Sequence, residues 1–581
     1  MRASGCSCVI RQDEADRARV GKWFLRGGFY VCFGWKVKAR AAAPLDRRLF
    51  AGSTMIMAWT LNGFRRRGDA ESRVPWDEAS ISVLTRIREA VGGADPRPSV
   101  EIEHDLPESE GIRFAPGLLD ALFSEPEAGR NISARRLLGA LSAAIKRPSS
   151  ATFAHFYELA NEADTISIVD NFLERAAAAG LDREAVAGLA RDIAAHAPDV
   201  PAVKLAIALL GITGQRCDRE LLLMLGRADE LTIYAAIALK NLLGEAEEEI
   251  WTLAKNAEGW GRIQAVFRLE GTTRADIKDW LLREGHRNSI MPEEVAYFCA
   301  VNGDLIALLR SDEVDDDLLD RISELFQALV AGGPAEDIRD LADGSEAAVL
   351  YLHKVRASAK LTFARFLAVR ALQTLVDDRA GEGLPVVDWP VDAQWQVRTG
   401  AADYLRQPQW PALVTERLVA EEEQVFWEAC RVGELLEMDV WPARFERQRS
   451  GKSDQWYFLM QTDSPDRVEQ VLALAREQLD LGKVGSGPSL SLGLGAEFAD
   501  DSAVDFIVQD LGRFPGFGWD FLRVGLTGRS VRLRNMTLRA LAAWGPERWP
   551  REVSQLLSAA AAREPDAELR QEMLRLLTKC S

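Results

Sequence analysis

Three heptapeptides, VKLAIAL from Val203, IYAAIAL from Ile233 and IQAVFRL from Ile263, stand thirty residues apart with no gap between periods. A self-match at this spacing restricts a helical chain severely, because each period has to be one supersecondary unit repeated in space. The columns agree position by position: Val203, Ile233 and Ile263; Leu205, Ala235 and Ala265; Ile207, Ile237 and Phe267; Leu209, Leu239 and Leu269. A fourth unit, EEVAYFC from Glu293, keeps the register with Val295, Tyr297 and Cys299. Between the blocks lie shorter amphipathic segments, RELLLMLG, EEIWTLAK, DIKDWLLR and DLIALLR, beginning at Arg219, Glu248, Asp276 and Asp304. Each period predicts two antiparallel helices joined by Gly, Asp or Asn turns. A lone pair cannot hide its apolar faces, so pairs stack until the ends are capped. The expected fold is all-α, an α-solenoid made as a superhelix of two-helix repeats.

The rest of the chain is organised around that array. Residues 1–54 form a basic leader, read as an over-extended translation start with Met55 or Met57 as the first residue, or as disordered. Residues 55–150 form an N-terminal helical lead-in that carries an acidic loop, and 151–378 form the first repeat array. A linker follows at 379–394, and 395–581 form a second helical array whose last segment, AELRQEMLRLLTKCS, serves as the cap.

The repeat pattern resembles HEAT-like repeats of the phycobilisome-lyase type. More narrowly, GWGRIQAVFRLEGT, IKDWLLREG and VRLRNMTLRALAAWG resemble a family of bacterial HEAT-like proteins, some of whose members are labelled limonene hydroxylase. The resemblance covers most of residues 150–581. It implies the superhelical fold, and the label implies a monoterpene hydroxylase; fold, however, does not transfer activity.

Charge and composition bear on partners. The net charge is −17, but residues 1–54 hold 11 Lys and Arg against 4 Asp and Glu, a balance of +7, which leaves −24 on the remainder. Non-specific nucleic-acid affinity comes from basic residues releasing counterions, so a body this acidic disfavours DNA or RNA, and a nucleic-acid-binding HEAT-like protein is the weakest alternative. No apolar run reaches the roughly 18 residues needed to span a bilayer, LAIALLGITG from Leu205 being about half that length. The seven cysteines form no CxxC pair, which fits a reducing, cytoplasmic setting.

Dioxygen chemistry needs a metal, flavin or haem. One HEAT-repeat hydroxylase family binds iron through His-Glu dipeptides, and none of His104, His155, His196, His286 and His353 is followed by Glu. The cluster EIEHD at 101–105 reads as a solvated acidic loop. The stretch GKVGSGPSLSLGLG, from Gly482, follows a helix and ends without Gly-Lys-Ser/Thr, so it lacks the mechanics of a phosphate loop and reads as a connector. No cofactor, metal or catalytic residue is expected. The functional expectation is a non-catalytic scaffold that binds a protein, a peptide or an acidic ligand on its concave face.

Two basic, aromatic stretches supply the candidate contacts. On a helix running from Trp260 to Glu270, Trp260 joins the apolar arc and Arg268 falls opposite with Gln264, while Arg262 and Glu270 both land inside the arc and need partners elsewhere. In RSVRLRNMTLRALAAW, Arg532, Asn535 and Arg539 line a polar face and Arg534 sits between Leu538 and Leu541, as a snorkelling arginine would. With Arg513, Arg523 and Arg529 this is the most basic neighbourhood of the chain. The candidate binding residues are Trp260, Arg262, Arg268, Arg532 and Arg534. For each, an ion pair or helix-end hydrogen bond to an adjoining helix is the competing structural role.

Overall fold

A computed structural model describes residues 74–77, 79–92, 127–332, 335–377, 387–493 and 495–578. Among these the chain is helical with no strand, an all-α fold of consecutive helices packed on their neighbours. It divides into two compact units, the first ending at Leu405 and the second running on from Arg406. The basic leader and the EIEHD cluster lie outside the described residues.

In the first unit the four expected blocks fall on the helices Val200–Thr213, Asp229–Leu243, Gly259–Phe267 and Pro292–Asn302, and each packs against the next. The shorter segments form Arg219–Leu225, Glu247–Asn256, Ala275–Trp280 and Leu305–Arg310, making the second helix of each pair. The stack continues through Asp316–Ala331, Gly344–Ala357 and Phe363–Val376 to Val391–Leu405, which packs on the two helices before it. Local chemistry sets the ends. Asp182, Asp315 and Thr362 accept hydrogen bonds from first-turn amides of their helices, and Gly244 and Gly332 stop helices at positive φ.

The repeat columns are buried where the pairs meet: Val203, Ile263, Leu205, Ala235, Ala265, Leu209, Leu239 and Leu269 are each at most 1% exposed. The column of Ile207, Ile237 and Phe267 departs from that pattern. Ile207 is buried, Ile237 is 41% exposed, and Phe267 is half-buried with its ring centroid 5.3 Å from that of Phe298 on the next helix pair. That column sits at the margin of the stack, so the sequence similarity there reflects helical register rather than a common degree of burial.

In the second unit the helices Ala499–Leu511, Val531–Trp544 and Ala567–Thr578 stack in succession, with Trp519–Gly525 and Val553–Arg563 as their shorter companions. Their core joins Val504, Ile507, Val508, Leu522, Leu538, Leu541, Trp544 and Leu557. Trp410 and Trp544 are among the largest fully buried side chains, as helix-packing anchors should be, whereas Trp395 in the first unit is 62% exposed.

Close packing relies on small residues at crossings. A Cβ on Gly211 would lie 2.9 Å from the Cα of Ala238 on the next helix, a backbone atom that cannot rotate away. Gly188, in the Arg183–His196 helix, has nothing within 4 Å of such a Cβ. Gly211→Ala is therefore expected to lower stability by about 1–3 kcal/mol through overpacking. Gly188→Ala should leave stability unchanged or raise it by roughly 0.5–1 kcal/mol by removing backbone entropy from the unfolded chain. Urea denaturation followed by circular dichroism checks both.

Candidate functional site

The first group of sequence candidates lies on the Gly259–Phe267 helix, and the structure uses them as joints. Trp260 is 3% exposed, its indole N–H enclosed without an acceptor. Arg262 donates through Nη2 to the Glu284 carbonyl, within the π-helical turn Leu281–Gly285, and its guanidinium carbon lies 5.3 Å from the Trp280 ring centroid. Burial pulls its pKa below the usual arginine value, and the nearby Glu284 opposes that shift. The Glu284 side chain meets Arg287 and Arg321, which in turn hold Glu324 of the Asp316–Ala331 helix at 3.0 and 3.2 Å. Arg262 thus belongs to a network that ties one pair to the next.

Two expectations for this helix are corrected. The helix stops at Phe267, and the turn after it carries Glu270 out to solvent, so Glu270 is not an inward charge in need of a partner. Arg268 does not lie on a free solvated face. It is half-buried, donates to the Gln264 carbonyl and side-chain oxygen at 2.6 and 3.2 Å, and burial alone pushes its pKa down to about 10. His286 sits in the turn between the Leu281–Gly285 and Pro292–Asn302 helices, where it is 2% exposed, and burial, reinforced by Arg287 and Arg262, pushes its pKa down to about 3.

The second group lies in the second unit, around the Val531–Trp544 helix. Arg534 is fully buried, and all five of its N–H donors are engaged. Nε and Nη2 grip the Glu564 carboxylate at 2.7 and 2.8 Å, Nη1 donates to the Gly528 and Arg529 carbonyls, and Nη2 also reaches the Ser489 carbonyl at 2.8 Å. A guanidinium has five N–H groups, so none remains for a ligand. The expected snorkelling position is corrected: the fixed fork holds a partner thirty residues on instead of reaching solvent.

Arg532 behaves differently. It is half exposed, with Nε 2.6 Å from Oδ2 of Asp505, a carboxylate 2% exposed, and its guanidinium lies 5.4 Å from the Phe506 ring centroid. The contact is close, but the approach falls outside hydrogen-bond geometry, and neither oxygen of Asp505 has a hydrogen-bond partner. Burial therefore outweighs the attraction of Arg532, and the Asp505 pKa is raised to about 6. One turn earlier, Asp501 is buried and paired with Arg529, whose guanidinium covers the Phe498 ring at 4.6 Å.

The glycine-rich connector is tied down along its length. The Gly487 amide donates to the Thr527 carbonyl at 3.0 Å, the Arg529 amide to Val484 at 3.2 Å and the Val531 amide to Ser491 at 2.8 Å. A Cβ on Gly487 would lie 2.6 Å from the Gly528 carbonyl oxygen, so glycine is what allows this close backbone approach. Pro488, Leu526, Leu556 and Ala560, with Arg523 and Arg563, line a cavity of about 160 Å³. Arg523 is exposed and makes no hydrogen bond or ion pair to any described residue, and Arg563 has only a long contact of 3.4 Å to the Gly487 carbonyl. Sequence reading noticed Arg523 but missed Arg563, Glu564, Asp501 and Asp505. The offset of thirty residues between Arg534 and Glu564 equals the period of the first unit and is the signal that could have joined them; nothing local marked Arg563 as the far side of a cavity.

No known family model matches the chain, and no curated protein matches it. A crystal structure of an engineered protein aligns over 77% of this chain and 98% of its own, at 16% identity and a TM-score of 0.20.

Asp505 gives a pH signature. Its folded pKa of about 6 exceeds the ordinary value of 3.8, so between those values the folded state binds the extra proton, and stability falls as pH rises through the window. Asp505→Asn removes this penalty. Relative to the parent, the variant should be more stable at about pH 7.5 than at about pH 4.5, by up to roughly 2–3 kcal/mol, as read from urea midpoints at the two pH values.

Proposed function

We propose that this chain is a non-catalytic scaffold of HEAT-like helical repeats that binds an acidic segment of a protein partner through its second unit. The observation that supports this reading is the contrast among arginines of one neighbourhood. Arg534, Arg529 and Arg532 have carboxylates of their own, while Arg523 and Arg563 flank an apolar cavity without one. In a chain of net charge −17, two uncompensated guanidiniums at one opening make a local positive site in a negative field. The guanidinium fork suits a carboxylate, and the cavity beside it suits a small apolar group. Among the described residues no helix is long and apolar enough to cross a membrane.

Fluorescence anisotropy with fluorescein-labelled octaglutamate tests the reading. Binding to the full chain should weaken steeply with added salt, and Arg523→Glu/Arg563→Glu should weaken it by at least about tenfold. Arg417→Glu/Arg449→Glu, a reversal at exposed arginines elsewhere in the same unit, should leave it within about twofold. Equal binding by the parent and the Arg523/Arg563 variant would remove the proposal.

A further inference from the structure

The cavity beside the connector has a polarity that narrows what can enter it. One wall is a face of the Val553–Arg563 helix, on which Leu556, Ala560 and Arg563 recur at helical spacing with Ala559 beside them. The two alanines in the middle of that face leave the space that longer side chains would fill. Across it stand Leu526 and, from the Trp519–Gly525 helix, Arg523. The two ends of the cavity differ. Leu526 is 2% and Ala560 6% exposed, so the inner end is apolar, whereas Arg523 and Arg563 are both exposed. The helix end that carries Arg563 is also fixed, because the next residue, Glu564, is the buried carboxylate that Arg534 grips.

Size and polarity together select the occupant. At about 160 Å³ the cavity is well below the roughly 300–1,000 Å³ of pockets that enclose a whole small ligand, so it takes one side chain of something larger outside. An internal Asp or Glu that entered would carry its charge toward Leu526 and Ala560, where a carboxylate loses its water among apolar atoms, and would leave its methylenes beside the arginines. An internal leucine or valine would fill the apolar end but bring only neutral peptide groups to the two cations. The last residue of a chain matches both ends. Its side chain and its α-carboxylate leave the same Cα, so the first can go down into the cavity while the second stays at the mouth.

We infer that the cavity receives the C-terminal residue of the partner protein, a Leu, Ile or Val whose side chain rests on Leu526 and Ala560 and whose α-carboxylate lies between Arg523 and Arg563. This inference rests on the acidic-partner proposal and places the partner's acidic segment at the end of its chain. Charge complementarity sets the choice of occupant, since both guanidiniums line the same small cavity and neither has a carboxylate among the described residues. An exposed ion pair contributes little by itself, so the buried apolar side chain and the acidic residues before it share in the affinity.

Anisotropy titrations of the full chain with fluorescein-labelled heptaglutamate extended by one residue test this. The peptide ending in leucine as a free acid should bind at least about fivefold more tightly than the same peptide as an amide, and than the free acid ending in glycine. Arg523→Gln/Arg563→Gln should erase the difference between acid and amide. Ala559→Leu fills the cavity from an exposed helical position with a good helix former, and should erase the preference for leucine over glycine while binding octaglutamate amide within about twofold of the parent. Equal binding of acid and amide, equal binding of leucine and glycine ends, or a leucine preference that survives Ala559→Leu would overturn the terminal-residue site and leave the acidic-partner reading standing. So would displacement of the labelled peptide by N-acetylleucine as readily as by the unlabelled peptide, since a free small acid would then be the ligand. Octaglutamate binding that does not respond to Arg523→Glu/Arg563→Glu would overturn the acidic-partner reading, and this one with it.

Discussion

A pair of short helices has more apolar surface than it can cover by itself, and in both units that surface is hidden only by the next pair. The consequence appears in the burial of Val203, Leu205, Ala235, Ile263 and Ala265, all at interfaces between consecutive pairs. Because no pair contains its own core, the register between pairs becomes the quantity the structure has to protect. Close contacts such as Gly211 against Ala238 and Gly525 against Thr537 set how near two helices come. At Gly211 the facing atom is the Ala238 backbone, which cannot yield, and packing at interior density magnifies small errors.

Charged groups protect the same register by another route. Arg534 with Glu564 and Arg365 with Asp316 and Asp320 are buried guanidiniums whose partners lie 30, 49 and 45 residues away in sequence, on neighbouring pairs. Such a pair adds little net stability, because desolvation offsets the attraction, but breaking it by removing one partner costs about 3–5 kcal/mol. A displaced pair of helices would leave the buried guanidinium, and at Arg534 the buried Glu564 carboxylate as well, without its partner, so the cost falls on wrong arrangements. The smaller joints, Arg191 with Asp218 and Arg219 with Glu249, repeat the pattern near the surface, where screening reduces their worth.

This division of labour separates two kinds of arginine on one helix. The wheel puts Arg532 on a polar face and Arg534 among leucines, from which it was expected to snorkel outward. Arg534 has every donor consumed inside the fold, and Arg532 lies half in water over a carboxylate that burial holds near a pKa of 6. Arg523 and Arg563, which line the cavity, have no carboxylate partner among the described residues. Arg268 shows the converse: expected outside, it is half-buried because the helix ends beside it and its side chain folds back on Gln264. Wheel angles describe the interior of a helix, and these residues sit at ends and crossings, where neighbours decide.

The thirty-residue period by itself pointed to an all-α chain with its helices in pairs and to most of the buried columns, though not to the partial exposure of the Ile207, Ile237 and Phe267 column. Those features follow from local periodicity, which the chain carries in its own order of residues. It also carried the spacing that joins Arg534 to Glu564, though not the fact of their contact. Only the tertiary structure decided which cations are neutralised, that the glycine-rich connector is bonded to the 527–531 turn and to Arg534, and that Arg523 and Arg563 share a cavity. Burial and pairing depend on groups brought together from distant parts of the chain, and a carboxylate or a guanidinium takes its chemistry from whatever the fold places against it.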